Sequence, residues 1–314
     1  MTNDDSVRIL KTILHNVEKV IVGKRRAIEL TINALICGGH VLIEDVPGVG
    51  KTSMAASLAK SVACSFKRIQ FTPDIMPSDI TGFSVYDPKS GEFVFRPGAV
   101  ITQFLLADEI NRTSPKTQSS LLEAMEEQQV TVDGKSYPVP SPFMVIATQN
   151  PVEYLGTFAL PEAQLDRFFM KITLGYPQAQ EESKILSRFQ EGDPLGELEP
   201  VADAETIVEV QRNVEKIHVD RDLKDYIVEL IRYTRVQDEI GLGASPRASI
   251  NLFKASQAWA LYQRRAYVIP DDIIAMAPHV LEHRLRLRQE AKLKKITALD
   301  IIDRALRQVA KPKI

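Results

Sequence analysis

This sequence has few cysteines, a small net charge and few long apolar runs. Its two cysteines, Cys37 and Cys64, both lie in apolar stretches, which excludes a disulfide framework and favours a reducing, cytoplasmic environment. The 39 basic and 41 acidic side chains give a formal net charge of −2, so no global field favours non-specific nucleic-acid binding. Prolines interrupt the longest uncharged stretch, 136–152. We therefore expect neither a membrane span nor a signal peptide.

Apolar residues, by contrast, are plentiful and patterned. They make up 44% of the 314 residues, which is enough for one large domain or two ordinary ones. Segments with strand character alternate with helical segments in the first half of the chain. The predicted strands are 40–44, 66–71, 103–109, 143–148 and 168–174. This alternation predicts an α/β fold with a central parallel five-stranded sheet covered by helices on both faces.

Two insertions and one boundary complete the predicted organisation. Segments 82–96 and 128–139 have the pattern of hairpins, the second turning at Asp133-Gly134. Beyond Pro177 the strand signal ends, so we predict an α/β domain over 1–176 and a small all-helical domain over 177–314. The predicted helices of the second domain are 178–190, 203–217, 221–236, 246–263, 271–288 and 297–310.

The segment from Asp45 to Thr52, between the first strand and a helix, carries the strongest chemical signal. Its sequence DVPGVGKT places glycines before a Lys-Thr pair at a helix start, so backbone N–H groups and the helix dipole can cradle phosphate. The residues predicted to bind nucleotide here are Val46, Pro47, Gly48, Val49, Gly50, Lys51, Thr52 and Ser53. Lys51 would reach the β and γ phosphates, and Thr52 would ligate Mg²⁺. The alternative is a chance helix-capping turn. Asp45 replaces the first glycine of the strict motif, and left-handed backbone angles would cost it some energy.

Polar residues follow two later strands at the same predicted sheet edge. Asp108 and Glu109 end the strand FLLADE, where Asp108 could hold Mg²⁺ and Glu109 could orient or deprotonate the attacking water. Asn150 ends the next strand, and its amide could hold that water or touch the γ phosphate. Such carboxylates also cap helices, and an Asn before Pro also forms turns, so both alternatives stay open.

Two arginines are candidates for stabilising the transferred phosphoryl group. Arg167 precedes the last strand in LPEAQLDRFF, and Arg247 begins a helix of the second domain in GASPRA. An arginine supplied by a neighbouring subunit can neutralise charge on the phosphoryl group, which makes either residue a candidate finger. The alternative for each is a structural ion pair.

The set of motifs, in this order and with two hairpins, resembles the MoxR family of AAA+ ATPases in the helix-2-insert branch. The phrases that carry the resemblance are EDVPGVGKT, RIQFTPDIMPSDITG, ADEINRTSPKTQSSLLEAMEE, ATQNP, LPEAQLDRFFMKI and GASPRA. In that family Asp is an accepted residue at the position of Asp45. The resemblance further implies Val22 and Gly23 at the adenine, Asn150 as sensor 1, Arg167 as the trans-acting finger and Arg247 as sensor 2. For Arg247, action in its own subunit's site and action in the neighbour's site both stay open.

The same resemblance implies a biological role. It implies ATP and ADP as ligands with Mg²⁺, a ring that is usually hexameric, nucleotide sites between subunits, and partners bearing von Willebrand factor A domains. We expect an ATPase that remodels or matures protein partners, with Phe93, Val94 and Phe95 of the first hairpin either as exposed contacts or buried under the ring. A nucleic-acid or chelatase-type motor and a nucleotide-gated scaffold with negligible turnover remain the alternatives.

Overall fold

A computed structural model describes residues 1–150 and 158–312 of the chain. Within these residues, no helix is long and apolar enough to span a bilayer. The strands, in chain order, are β1 (Val41–Glu44), β2 (Phe66–Gln70), β3 (Gly82–Asp87), β4 (Glu92–Pro97), β5 (Phe104–Asp108), β6 (Gln129–Val132), β7 (Lys135–Pro138), β8 (Met144–Gln149), β9 (Met170–Ile172), β10 (Ile240–Leu242) and β11 (Arg286–Leu287).

The helices surround these strands and make up most of the chain after β9. They are α1 (Asn3–Glu18), α2 (Arg25–Ile36), α3 (Lys51–Ser61), α4 (Pro77–Thr81), α5 (Pro115–Glu127), α6 (Glu162–Leu165), α7 (Ala179–Glu191), α8 (Ala204–Val214), α9 (Arg221–Arg235), α10 (Pro246–Tyr262), α11 (Pro270–Leu281), α12 (Gln289–Leu293) and α13 (Ala298–Gln308).

The central sheet has five parallel strands in the order β2-β5-β8-β1-β9, which confirms the predicted α/β core. The strand β8 lies between β1 and β5, with Glu44 opposite Gln149 and Ala107 opposite Ala147. Because the strands are parallel, the segments that follow β1, β5 and β8 meet at one edge of the sheet. We call this the carboxyl edge.

Alternate strand residues enter two apolar cores, because successive side chains of a strand point to opposite faces. One face contributes Leu42, Leu105, Ala107, Val145 and Ala147 to a core closed by α4, α5 and the hairpins. The other contributes Val41, Ile43, Phe104, Leu106, Met144 and Ile146 to a larger core. That larger core also contains apolar residues of α1, α2, α3 and the helices after residue 200. Burying both faces explains why these strands are almost continuously apolar.

Both insertions are hairpins, as predicted. The first pairs β3 with β4 and the second pairs β6 with β7. Phe95 of the first stacks on Tyr137 of the second, with ring centroids 3.8 Å apart, so the two hairpins touch each other. On the first hairpin Phe93 is 72% exposed and Val94 41% exposed, whereas Phe95 is half-buried.

The region after residue 177 is mostly helical, as predicted, but the strands β10 and β11 and the short helix α12 were not predicted. The pattern over 271–288 predicts a continuous helix, but α11 ends at Leu281 and a 3₁₀ turn leads into β11, which pairs with β10. The reason is tertiary: the buried Arg284 guanidinium donates to the Asp166 carboxylate and to the carbonyl of Phe169. The predicted boundary between 176 and 177 stays a prediction, since helices on both sides share the larger core.

Candidate functional site

The loop after β1 has the geometry of an anion cradle. Gly48 and Gly50 have left-handed φ angles of +84° and +92°, and Gly50 caps the start of α3. Only glycine adopts such angles without strain, and the resulting turns aim successive N–H groups at the helix N-terminus, where an anion is stabilised. The Lys51 ammonium donates to the Asp45 carbonyl over 2.8 Å. The ammonium group is therefore held at the loop, and it would exchange this carbonyl for a phosphate oxygen when a nucleotide binds.

Asp45 has a role that the sequence pattern did not indicate. Its φ is not left-handed, so the conformational cost expected for this position is absent. Its carboxylate is buried and accepts from the backbone N–H groups of Val46 at 2.9 Å and of Leu174 and Gly175 at 2.6 Å each. The side chain therefore ties the start of the loop to the segment that follows β9.

Asp108 lies at the carboxyl edge, and two neighbouring strands hold its carboxylate. The Thr148 hydroxyl of β8 donates to one oxygen over 2.6 Å, and Arg68 of β2 donates to the other over 2.7 Å. Adjacent strands are about 4.8 Å apart, so Asp108 and the loop after β1, two strands away, are separated by about 10 Å. That space matches the length of a polyphosphate.

Glu109 follows Asp108 in a strained backbone conformation. Its φ of +57° and ψ of +49° are left-handed, a region that a non-glycine residue occupies at a cost of about 1 kcal/mol or more. Gln70 of β2 donates to the Glu109 carboxylate over 2.8 Å, and Arg112 forms an ion pair with it over 3.2 Å. Glu109 is thus turned out of the strand direction, and side-chain contacts hold its carboxylate.

Asn150 is buried directly after β8, between the loop and the two carboxylates. The structure therefore brings the predicted loop residues, Asp108, Glu109 and Asn150 to one edge.

Within the described residues, no cluster of three or more His, Cys, Asp or Glu side chains could hold a metal ion. The hard oxygen donors Thr52 and Asp108 suit Mg²⁺, which is usually held by one or two protein ligands and by substrate phosphates.

The link between α1 and α2 reaches the same edge. Gly23 has a φ of +74°, and a Cβ placed on it would lie 2.0 Å from the Glu181 carboxylate of α7. The same link also lies next to the loop after β1, because a Cβ placed on Gly50 would lie 3.9 Å from the Ile21 methyl group. Val22 and Gly23 therefore lie beside the cradle, where an adenine would extend from the phosphates.

Arg167 and Arg247 lie together, but away from this edge. Both form ion pairs with the carboxylate of Glu126, at the end of α5. They line one cavity with Gly38, Gly39 and His40, the residues that precede β1. Because β1 rises about 3.3 Å per residue, its four residues put about 13 Å between this arginine edge and the loop. The two arginines thus lie near the end of β1 that is opposite their own chain's cradle.

His40 fixes the end of α5 at this arginine edge. Its Nδ1 accepts from the Val145 N–H over 3.0 Å, and its Nε2 lies 3.2 Å from the Met125 carbonyl. The ring is fully buried, and burial lowers the pKa of His40 to about 4. A neutral ring that donates through Nε2 and accepts through Nδ1 satisfies both partners.

Sequence reasoning missed several contacts of the site. Gln70 and Thr148 also lie at the carboxyl ends of strands, so the rule that identified Asn150 could have found them. Arg68 lies in the middle of β2, so that rule does not point to it. Glu126 carries no such signal, because its partners are 41 and 121 residues away in the chain.

A glycine loop between a strand and a helix, with carboxylates two strands away in a parallel sheet, defines the P-loop class of nucleotide-binding proteins. Comparison with known proteins narrows this class. Residues 40–170 match the ATPase family associated with various cellular activities (AAA), and residues 232–305 match the AAA lid domain.

Similar proteins span nearly the whole chain. The uncharacterized protein YeaC of Bacillus subtilis is 52% identical over 309 residues, covering 98% of this chain and 97% of that protein. Chaperone MoxR1 of Mycobacterium tuberculosis is 41% identical over 317 residues, covering 98% and 84%. A crystal structure of a candidate ATPase of Cytophaga hutchinsonii matches with a TM-score of 0.93 at 38% identity, covering 99% and 97%. The chain belongs to the MoxR family of AAA+ ATPases.

Proposed function

We propose that this chain hydrolyses Mg·ATP at sites shared between subunits of a ring, usually hexameric, and uses the energy to remodel or mature protein partners. One observation carries the proposal. The loop, Asp108, Glu109 and Asn150 share one edge of the sheet, whereas Arg167 and Arg247 lie at the other. A single copy therefore has a site for the triphosphate with neither Arg167 nor Arg247 beside it, and a second copy would supply both.

Each residue at the carboxyl edge has a distinct task in this scheme. Backbone N–H groups from Gly48 to Lys51 bind the phosphates, and the Lys51 ammonium leaves the Asp45 carbonyl to reach them. Thr52 and Asp108 would hold Mg²⁺, which neutralises charge on the phosphates when it is bound. Glu109 orients or deprotonates the attacking water, and the Asn150 amide holds that water or touches the γ phosphate.

The two arginines serve the neighbour's site. Glu126 holds Arg167 and Arg247 side by side, so we propose that both act in trans, Arg167 as the finger and Arg247 beside it as sensor 2. Their positive charge would stabilise the γ phosphoryl group as it departs. Hydrolysis then depends on assembly, and the free subunit is a poor ATPase.

The exposed surface of the first hairpin is evidence for a protein partner. Its exposed side chains include Phe83, Tyr86, Phe93 and Val94. An apolar surface of this kind fits a protein better than it fits a phosphate backbone, which basic groups bind. We propose von Willebrand factor A domain proteins as partners, as the family resemblance implies. The chaperone name of MoxR1 supports a protein partner in general. The two thiols are free, which supports a reducing, cytoplasmic location.

The experiment mixes two inactive variants. Arg167→Ala chains keep a complete carboxyl edge, and Glu109→Gln chains keep both arginines. Each alone should hydrolyse ATP slowly, and the mixture should recover part of the wild-type rate, because arginines of one chain complete sites of the other. Chains carrying both substitutions should recover nothing when mixed with Arg167→Ala chains. Co-assembly without any recovered rate would contradict shared sites. Stimulation by DNA but not by protein partners would favour a nucleic-acid motor.

A further inference from the structure

Glu126 is the one carboxylate in the described residues that contacts both Arg167 and Arg247. Its Oε2 lies 3.0 Å from Arg167 Nε, and its Oε1 accepts a short hydrogen bond from Arg247 Nη2. All three side chains are partly exposed, at 37%, 30% and 39%. The cluster therefore faces solvent at the arginine edge, where a second copy of the chain can reach it.

Buried contacts fix the backbone on which this cluster is built. The Ser245 hydroxyl, two residues before Arg247, lies 2.8 Å from the carboxylate of Asp166, the residue before Arg167. Arg284 donates to the same carboxylate over 2.9 Å, and its side chain is only 1% exposed. The segments that carry the two arginines are therefore joined independently of Glu126.

The contact between Glu126 and Arg167 leaves part of the guanidinium group free. The ion pair with Glu126 involves Arg167 Nε, and in the described part of the chain the two terminal nitrogens of Arg167 form no hydrogen bond. The two terminal nitrogens thus stay available as the fork that binds phosphate oxygens. One carboxylate also offsets one of two neighbouring positive charges, so the guanidinium groups can lie together without strong repulsion while the pair keeps a net positive charge.

We propose that Glu126 is a positioning residue, which holds Arg167 and Arg247 as a preformed pair whose free nitrogens are presented to the γ phosphate in the neighbouring subunit. This inference rests on the proposed function, since it assumes that the arginines act in trans. Without the carboxylate, the Arg167 side chain samples many rotamers, and each encounter with the phosphate must first order it.

The test places the substitution in the chain that donates the arginines. Glu109→Gln chains, with and without Glu126→Gln, are mixed with Arg167→Ala chains, and the recovered ATPase rate is measured against ATP concentration. We expect Glu126→Gln to lower the recovered kcat by about tenfold, because a misplacement of about 1 Å can cost up to about 100-fold and the arginines keep their backbone positions. The KM for ATP should stay unchanged, because the cradle that binds the hydrolysed ATP belongs to the Arg167→Ala chain, which keeps its own loop and Glu126. Donor chains with Glu127→Gln carry the same charge change one residue later and should keep the recovered rate.

The possible outcomes distinguish a failure of the shared nucleotide sites from a failure of Glu126 to position the arginines. If Glu109→Gln chains recover no rate from Arg167→Ala chains, the proposed function fails before Glu126 is tested. If they do recover it and Glu126→Gln donors are equally active or faster, the carboxylate does not position the arginines and the inference is wrong. An equal loss with Glu127→Gln, or a loss explained by smaller assemblies in light scattering, would also overturn it.

Discussion

The carboxyl edge and the arginine edge of the sheet are assembled over very different chain distances. The carboxyl edge combines one loop of eight residues with the ends of neighbouring strands, and backbone geometry does much of its work. The arginine edge joins the end of α5, the segment before β9 and the start of α10, and side chains make most of the contacts. In the proposed function, the first can bind nucleotide within one chain, whereas the second would meet a phosphate only in another copy. This contrast implies that binding and turnover are separable properties of the molecule.

The largest effect should follow from breaking the arginine edge. Arg167→Ala should lower kcat by about 10³-fold or more, the magnitude typical of an arginine finger, and should leave the nucleotide Kd unchanged. Arg167→Lys should rescue little, because an ammonium lacks the planar fork. Steady-state hydrolysis and equilibrium binding measured on the same preparations check both parts.

Arg286→Ala serves as the matched control for this prediction. Arg286 is an exposed arginine that pairs with Glu162 over 2.7 Å near the same region. Its removal changes the charge equally but takes away neither arginine of the pair. A loss of kcat as large as that of Arg167→Ala would point to general electrostatics rather than to a finger.

Breaking the carboxyl edge should change the opposite property. Lys51→Ala should raise the nucleotide Kd by about 100-fold, since charge-assisted hydrogen bonds contribute about 1.5–3 kcal/mol each. Lys60→Ala, at the far end of the same helix, removes an equal charge whose partners are the carbonyls of Leu195 and Gly196, and it should leave the Kd near wild type. Fluorescent-nucleotide titration measures both, and normal binding by Lys51→Ala would contradict the cradle.

The two edges also differ in how far a sequence predicts them. The five strands, both hairpins and the loop followed from periodicity and from a local motif, because each depends on residues close together in the chain. The Glu126 bridge could not be predicted, since its geometry exists only after three distant segments have packed. The end of α11 at Leu281 was missed for the same reason: the buried Arg284 overrides a helical pattern.

A buried histidine makes the arginine edge sensitive to acid. The pKa of His40 is lowered to about 4 from an ordinary 6.5, so the unfolded chain takes up the proton first as the pH falls. Stability from this group is therefore complete above about pH 6.5 and is lost between about pH 6.5 and 4. At pH 5 the loss should be about 2 kcal/mol.

Replacing the ring tests this assignment. His40→Gln keeps one donor and one acceptor but cannot be protonated. Its unfolding free energy should fall by about 2 kcal/mol less than that of the wild type between pH 7 and pH 5. Urea unfolding at the two pH values measures the difference. Equal acid sensitivity in both proteins would show that other groups, such as the buried His283, carry the effect.

The smallest effect concerns the residue that departs from the strict phosphate-loop motif. Asp45→Gly restores the motif's glycine, so the sequence pattern alone predicts no harm. We expect instead a loss of about 1–2 kcal/mol in unfolding free energy, because the backbone N–H groups of Leu174 and Gly175 lose a buried acceptor and glycine adds freedom to the unfolded chain. Thermal and urea unfolding of Asp45→Gly and Asp45→Asn measure the loss. Because Asn keeps one carbonyl oxygen but adds a competing N–H₂, it should also fall below the wild type. If Asp45→Gly were as stable as the wild type, the contacts of the Asp45 carboxylate with the segment after β9 would contribute nothing to stability. The carboxyl edge would then depend only on residues that are close together in the chain.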